Sequence, residues 1–312
     1  MEGKTNMGKT KYIFVTGGVL SGVGKGITAA SIGAVLQAKG VTVSVQKCDP
    51  YLNVDAGLLN PKEHGECFVT KDGAETDLDL GHYERFLDLE LTQKNATLSG
   101  RLLRDLITDE RAGKFGGKTV QLVPHLTNAI KMAIHEAATG DIHLVEIGGT
   151  VGDIESLPFI ESVRQLKWEL GKNCLCVHLT YVPYIAAAKE YKTKPTQHSV
   201  KELQSVGIQP DVLVLRAEHP LSDGLRKKVA QFCNVDDKAV VQSIDAETIY
   251  EVPLLMQAQG LDSTILEKMG LPVGETPGLG PWRKFLERRH AAETKEPINI
   301  ALVGKYDLQD AY

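Results

Sequence analysis

The chain has 312 residues, 42% of them hydrophobic and 24% charged, with a formal net charge of −5. That composition suits one large or two modest globular domains and excludes a broadly basic surface of the kind that binds nucleic acid. No apolar run nears the ~18 residues of a membrane span, the first nine residues hold no apolar leader core, and five scattered cysteines make no disulfide framework. The expectation is a cytoplasmic protein without nucleic-acid or membrane partners.

In chain order, residues 1–10 read as a tail. An apolar run, Tyr12–Val15, feeds Thr-Gly-Gly-Val-Leu-Ser-Gly-Val-Gly-Lys-Gly, and a helical pattern follows over Ile27–Lys39. Strand, glycine turn and helix in that order cradle phosphate, because backbone N–H groups and the helix N-terminus face the anion and a lysine neutralises it. The loop departs from the P-loop pattern GxxxxGK[ST]. Five residues separate Gly18 from Gly24, and Gly26 stands where the hydroxyl that touches Mg²⁺ belongs. The metal must then be held by other groups.

Further along, Val41–Gln46 reads as a strand, Pro124 to about Ala138 as a helix, Ile142–Ile147 as a strand and Leu157–Gly171 as a helix. Leu175–Leu179 is a strand, Ser199–Val206 a helix, Val212–Leu215 a strand, Gly224–Phe232 a helix and Val240–Gln242 a strand. The alternation predicts an α/β fold: a doubly wound, mostly parallel sheet with helices on both faces, a Rossmann-like three-layer arrangement akin to P-loop NTPases. Sites in such folds lie beyond the carboxyl ends of the strands. The glycine loop, Lys47, Glu146 and Arg216 all follow strands in this reading. Gly270–Pro281, with seven Gly or Pro in twelve residues, reads as a linker. A charged helix near Trp282–His290 and a strand, Ile298–Val303, come after it. The predicted division is a domain over 11–269, a connection over 270–297 and the first strand of a further, truncated domain over 298–312.

Several residues carry chemistry. Glu146 ends a buried apolar strand and is placed to hold magnesium. Glu75, Asp77 and Asp79 share one face if extended, and such a trio repels itself unless a cation sits among it, so either Asp77 or Asp79 is a second metal ligand. Lys47, after the second strand, points into the crevice of Lys25, where two ammonium groups suit a β/γ-phosphate and its transfer. Lys189–Gln197 is a dense cationic stretch that suits a second polyphosphate. There Pro195 is expected to keep Lys194 out of helix, with Gln197 and His198 opening the next one. Asp153 and Glu155, in a glycine-rich segment, suit a base or sugar, or else Asp153 and Ser156 cap the helix that follows. Cys174 and Cys176, two apart in a strand, read as buried core thiols, since a metal would need a second pair.

Taken together, Gly17–Ile27, Lys47-Cys-Asp-Pro-Tyr51, His64-Gly-Glu66, Asp72–Arg85, Glu146–Pro158, Lys192–Glu202 and Phe232-Cys-Asn234 resemble the CTP synthase family, from Lys11 to about Leu266. The resemblance implies an ATP-dependent amide ligase of pyrimidine nucleotide biosynthesis: ATP phosphorylates the 4-oxygen of UTP and ammonia displaces the phosphate to give CTP. It implies Lys25 and Lys47 as the catalytic lysines. It places ATP at Ser21, Gly22, Val23, Gly24, Lys25, Gly26, Ile27 and Asp79, with Arg216, Ile244, Asp245 and Ala246 at the adenosine end. Mg²⁺ falls to Asp79 and Glu146. UTP and the feedback inhibitor CTP fall to Ser21, Asp153, Ile154, Glu155, Lys192, Thr193, Lys194, Pro195, Thr196, Gln197 and Lys228. It also implies a homotetramer, filament formation, and a glutaminase domain supplying ammonia from glutamine. The chain departs from the pattern at Ile244, where a lysine is common in bacterial relatives, so the adenine contacts there fall to the backbone. Cys67 stands for a common valine and is expected only to pack. No nucleophile elbow is seen, so this chain is expected to use free ammonia and not glutamine. The other class that fits a deviant glycine loop is a P-loop switch or partitioning-type ATPase, which needs no second triphosphate site.

Overall fold

The computed structural model describes residues 10–273 and 278–301. The chain runs β1 (Lys11–Gly17), α1 (Lys25–Gln37), β2 (Val43–Asp49), α2 (Pro61–His64), β3 (Phe68–Val69), β4 (Glu75–Thr76), α3 (Asp79–Leu87), β5 (Ala96–Leu98), α4 (Ser99–Arg111), α5 (Thr127–Ala137) and β6 (Ile142–Ile147). It continues through α6 (Leu157–Leu170), β7 (Cys174–Tyr181), β8 (Tyr184–Ile185), β9 (Glu190–Tyr191), α7 (Lys194–Ser205), β10 (Val212–Ala217) and α8 (Asp223–Cys233). Then come β11 (Val240–Ile244), α9 (Val252–Ala258), α10 (Leu261–Lys268) and α11 (Gly280–Ala292).

Seven strands form one sheet in the order β11-β10-β7-β1-β6-β2-β5, and every pairing in it is parallel. Parallel strands need crossovers, and these cover both faces with helices. Side chains alternate between two cores. Ile13, Val15, Leu144 and Val177 face α1, α3, α9 and α10, while Phe14, Val145, Ile147 and Cys176 face α5 and α6. A third cluster joins Leu213 and Leu215 to Val200 of α7 and Val229 of α8. From β1 the chain winds to β2, β5 and β6 on one side, then to β7, β10 and β11 on the other. The direction of winding reverses beside β1, so the crevice beyond its carboxyl end is where such sheets hold ligands.

The doubly wound sheet agrees with the expectation, and Cys174 and Cys176 are buried core thiols. Some expectations fail. Lys194 is the first residue of α7, not a loop residue. Proline at the second position of a helix removes an N–H that has no intrahelical partner there, so it does not exclude its neighbour. Glu75, Asp77 and Asp79 do not share a strand face, because the chain leaves β4 after Thr76 and coils into α3 at Asp79. Lys47, Glu146 and Arg216 lie in the last residues of β2, β6 and β10 rather than after them. An irregular turn over Leu122–Leu126 precedes α5, so the regular helix begins at Thr127 and not at Pro124. Ile298–Ala301 are not in a strand, and the rest of the expected Ile298–Val303 strand lies outside the described residues, as do residues 1–9 of the expected tail.

Candidate functional site

The glycine loop joins β1 to α1. Gly22 and Gly24 have φ of +68° and +95°, and Gly24 precedes α1 with no side-chain cap. The first N–H groups of α1 therefore face outward with no partner on the helix, as an anion site requires. Lys25 opens α1 and folds back over Gly17, where a Cβ would stand 2.7 Å from Lys25 Cδ. Its Nζ donates to Gly149 O at 2.8 Å, in the loop after β6. Burial lowers its pKa, and the charge of Lys47 adds to that against the pull of Glu146 and Asp79.

Lys47 sits at the centre of the acids. Its Nζ donates to Asp79 Oδ2 at 2.5 Å and to Glu146 Oε1 at 2.8 Å, and lies 3.8 Å from Asp49 Oδ1. Burial opposes its charge, but Asp79, Glu146 and Asp49 outweigh that and hold its pKa well above the ordinary lysine value. Tyr83, from the same helix as Asp79, donates its hydroxyl to Glu146 Oε2. Burial raises the pKa of Glu146, with Asp79 adding to it. Burial also lifts Asp49 to about 7, against the pull of Lys47.

Gly26 explains the missing hydroxyl of the P-loop pattern. A Cβ built on it would stand 1.9 Å from Asp79 Oδ1. The space that a serine or threonine side chain would need is taken by a carboxylate delivered from α3. Four carboxylates (Asp49, Asp77, Asp79, Glu146) surround two ammonium groups (Lys25, Lys47). If all are ionised, the formal balance of four negative against two positive charges leaves an excess that one divalent cation would cancel. Asp79 and Glu146 converge on the same ammonium, and two hard carboxylates plus substrate phosphates are the donor set Mg²⁺ takes.

The crevice holding these groups is lined by Ser21 to Ile27, Lys47, Asp49, Tyr51, His64, Asp79, Glu146, Gly148 and Gly149. A second hollow shares Gly22, Val23, Gly24 and Ile27 with it and extends to Arg216, Ile244, Asp245, Ala246, Ile249 and Val252. The two make one groove with a charged end and a more apolar end. Arg216 donates to Ala217 O at 2.8 Å and Ser243 O at 3.2 Å, and pairs with Asp245. Every residue expected at ATP or metal thus lines this groove.

The residues expected at UTP and CTP, Ser21 apart, lie outside its lining. Lys192 pairs with Glu190 of the β8–β9 hairpin, and the charge of Lys228 also reaches Glu190, so both lysines gather at the hairpin. Lys192, Lys194 and Lys228 are exposed. Thr193, Thr196 and Gln197 are buried in internal bonds: Gln197 Nε2 donates to Thr193 Oγ1 at 3.2 Å, and the Thr196 hydroxyl meets that of Thr180 at 3.0 Å. Pro195 is half-buried in the first turn of α7. Asp153 Oδ2 accepts from Thr150 N at 2.8 Å, closing its own loop. The hydroxyl of Ser156 donates to Asp153 O rather than capping α6. Ile154 and Glu155 are exposed.

The glycine loop nonetheless touches α7. A Cβ on Gly18 would stand 1.7 Å from Ser199 Oγ of that helix. His178 of β7 bridges Thr16 Oγ1 at 2.9 Å and Ser199 Oγ at 2.8 Å.

Sequence reasoning gave no role to Asp49 or Tyr83, although both stood inside quoted runs. Their signal was an acid two residues after Lys47 and a tyrosine four after Asp79, one helical turn on.

A family model described as CTP synthase N-terminus matches residues 11–271. A CTP synthase of Bacteroides thetaiotaomicron is 76% identical over 309 residues, covering 98% of this chain and 58% of that protein. Those of Bacteroides fragilis and Porphyromonas gingivalis are 65% and 63% identical over 310 residues, again 98% of this chain and 58% and 57% of theirs. The chain thus spans somewhat under three fifths of the length of these relatives. The glycine loop, the acid-bound lysine and the matched residues agree: the chain belongs to the CTP synthase N-terminus family.

Proposed function

We propose that this chain performs the synthetase reaction of CTP formation: ATP-dependent amination of UTP at C4, with ammonia as the nitrogen donor. The observation that carries the reading is the groove where Lys25, Lys47, Asp79 and Glu146 converge beside an uncapped helix N-terminus. The CTP synthase relatives support the choice of substrates. In the first step the uracil 4-oxygen attacks the γ-phosphorus of ATP as N3 gives up its proton and a C4=N3 bond forms, and the bond to the β-phosphate oxygen breaks, releasing ADP. In the second, ammonia adds to C4, the C4–O bond breaks, phosphate leaves, and the added nitrogen loses one proton.

Two triphosphates bring roughly eight negative charges together. Lys25 and the first N–H groups of α1 hold the β/γ-phosphates, and Lys47 meets the charge that develops on transfer. Mg²⁺, held by Asp79 and Glu146, would supply charge neutralisation and orientation of the phosphates. Tyr83 fixes the carboxylate of Glu146. Arg216 and the 244–246 backbone receive the adenosine. Lys192, Lys194 and Lys228 form the exposed cationic face for the uridine nucleotide, with Asp153–Glu155 contributing to a CTP inhibitory site. Water must be kept from the phosphorylated intermediate, or hydrolysis replaces amination.

The reading extends to a homotetramer. Ile107, Leu122, Val123 and Met132 are exposed apolar residues in and around α4 and α5, the kind of surface that association covers. It also extends to the cytoplasm, on five free cysteines and, among the described residues, no helix long and apolar enough to cross a membrane. Within the chain, 11–269 is the synthetase unit and 270–297, including α11, the connection.

The test supplies purified chain with ATP, Mg²⁺ and ammonium chloride, with and without UTP, and follows ADP and CTP. ADP release that requires UTP and matches CTP formed is expected. ADP release indifferent to UTP would instead assign the chain to the switch-type ATPases.

A further inference from the structure

The helix α11 is clamped on the segment that follows β11. Trp282 Nε1 donates to Tyr250 O, the Trp282 ring lies 5.2 Å from that of Phe86, and Phe285 meets Tyr250 edge-on at 5.1 Å. One face of α11 and the turn Ile249–Glu251 are thereby fixed against each other. Beyond the aromatic contacts, Glu247, Glu251 and His290 each bring one ligand atom to within 4.8 Å of the other two. Glu247 and Glu251 come from the loop and turn after β11, and His290 from the last turn of α11.

Two carboxylates this close repel each other unless a cation or a proton intervenes. Among the described residues neither has an ion-pair or side-chain hydrogen-bond partner. His290 has a carboxylate beside it, with Nδ1 3.7 Å from Glu293 Oε2, and Glu293 is in turn held by Arg289 at 3.1 Å. With Nε2 as the ligand, Glu293 stands where a carboxylate orients a metal-bound imidazole through its other nitrogen. The aromatic clamp brings the three donors together from two elements, with Glu247 and His290 exposed and Glu251 half-buried, and a bound ion would draw each to about 2 Å.

We propose that Glu247, Glu251 and His290 form a second metal site, separate from the groove acids, that takes a divalent ion of borderline softness such as Zn²⁺. One imidazole and two carboxylates, completed by water, make a four-coordinate set for that ion. An imidazole donor distinguishes it from the all-oxygen set that Mg²⁺ takes. Its effect is to pin α11 to the turn that carries Ile249, which lines the groove beside Val252 at the start of α9.

The test uses the full chain carrying Cys67→Ser, which removes the exposed thiol, stripped of metal and titrated with Zn²⁺ in excess Mg²⁺. Binding is followed by calorimetry and thermal unfolding. The parent is expected to take up one equivalent more than His290→Ala or Glu251→Gln, and Zn²⁺ to raise its unfolding midpoint by several degrees while leaving the variants unmoved. Equal uptake by parent and variants, or no uptake by the parent, would overturn the site. Circular dichroism of the two variants, altered at surface or half-buried positions, verifies that lost binding is not lost folding.

Discussion

Gly26 occupies the position at which a P-loop carries a hydroxyl, and its missing side chain is filled by Asp79 Oδ1. Restoring the hydroxyl is therefore expected to harm the proposed phosphoryl transfer. In Gly26→Ser the new Cβ drives Asp79 off Lys47, and phosphoryl transfer, measured as UTP-dependent ADP release, should fall by about 10²-fold or more. A rate at or above wild type would show that Asp79 tolerates displacement. Lys25→Ala removes the one ammonium that spans the loop and Gly149, and kcat should drop by about 10²–10³-fold. At this scale Lys25, Lys47 and Glu146 were legible because a glycine turn and strand ends announce them. Asp49 and Tyr83 were not, since their part depends on burial and on where α3 starts, and no short motif encodes either.

Among the elements, α1 is buried along most of its length and lies against both α3 and the sheet. Gly33 allows this: a Cβ there would stand 2.6 Å from Leu87 Cδ2 and 3.1 Å from Leu144 Cδ1. Gly33→Ala gains helix propensity but overpacks two buried leucines, and a net loss of about 1–2 kcal/mol is expected in urea unfolding. An unchanged midpoint would mean that α3 shifts without cost. The long strands and the helices α1, α5, α6, α7, α8 and α11 were readable because apolar runs and glycine punctuation are strong signals, whereas α3, α4, α9 and α10 were not assigned. The three-residue β5 and the two small hairpins are too short to have a period. The start of α7 was misjudged because proline disfavours helix in its predecessor only where neither residue lies in the first turn.

Across the whole molecule, two histidines are sealed in the sheet. Burial holds His143 and His178 neutral down to a pKa of about 3, with the nearby His135 and Lys25 respectively adding to the effect. In the unfolded chain each takes a proton near the usual value of about 6.5. Between those limits the unfolded state binds more protons, so stability falls as pH drops below about 6.5 and is untouched by these groups above it. Each contributes up to about 1.4 kcal/mol per pH unit in that window. His143→Gln, which keeps polar atoms near Ser44 and Gln46, should flatten the fall in unfolding free energy between pH 6 and pH 4 by about one proton. A slope unchanged from wild type would show that His143 is not the sensor. The three-layer architecture could be read from alternation alone. The strand order could not, because it depends on which crossover each helix makes.

The chain's two tryptophans stand in opposite surroundings: Trp168 is 87% exposed, whereas Trp282 is wedged among Phe86, Tyr250 and the rest of the clamp. Fluorescence from the first is open to a dissolved quencher and that of the second is shielded. Once the outer indole is silenced, the emission that remains comes from the joint between α11 and the groove wall. The protein thus carries a native optical gauge of that joint, with no label attached.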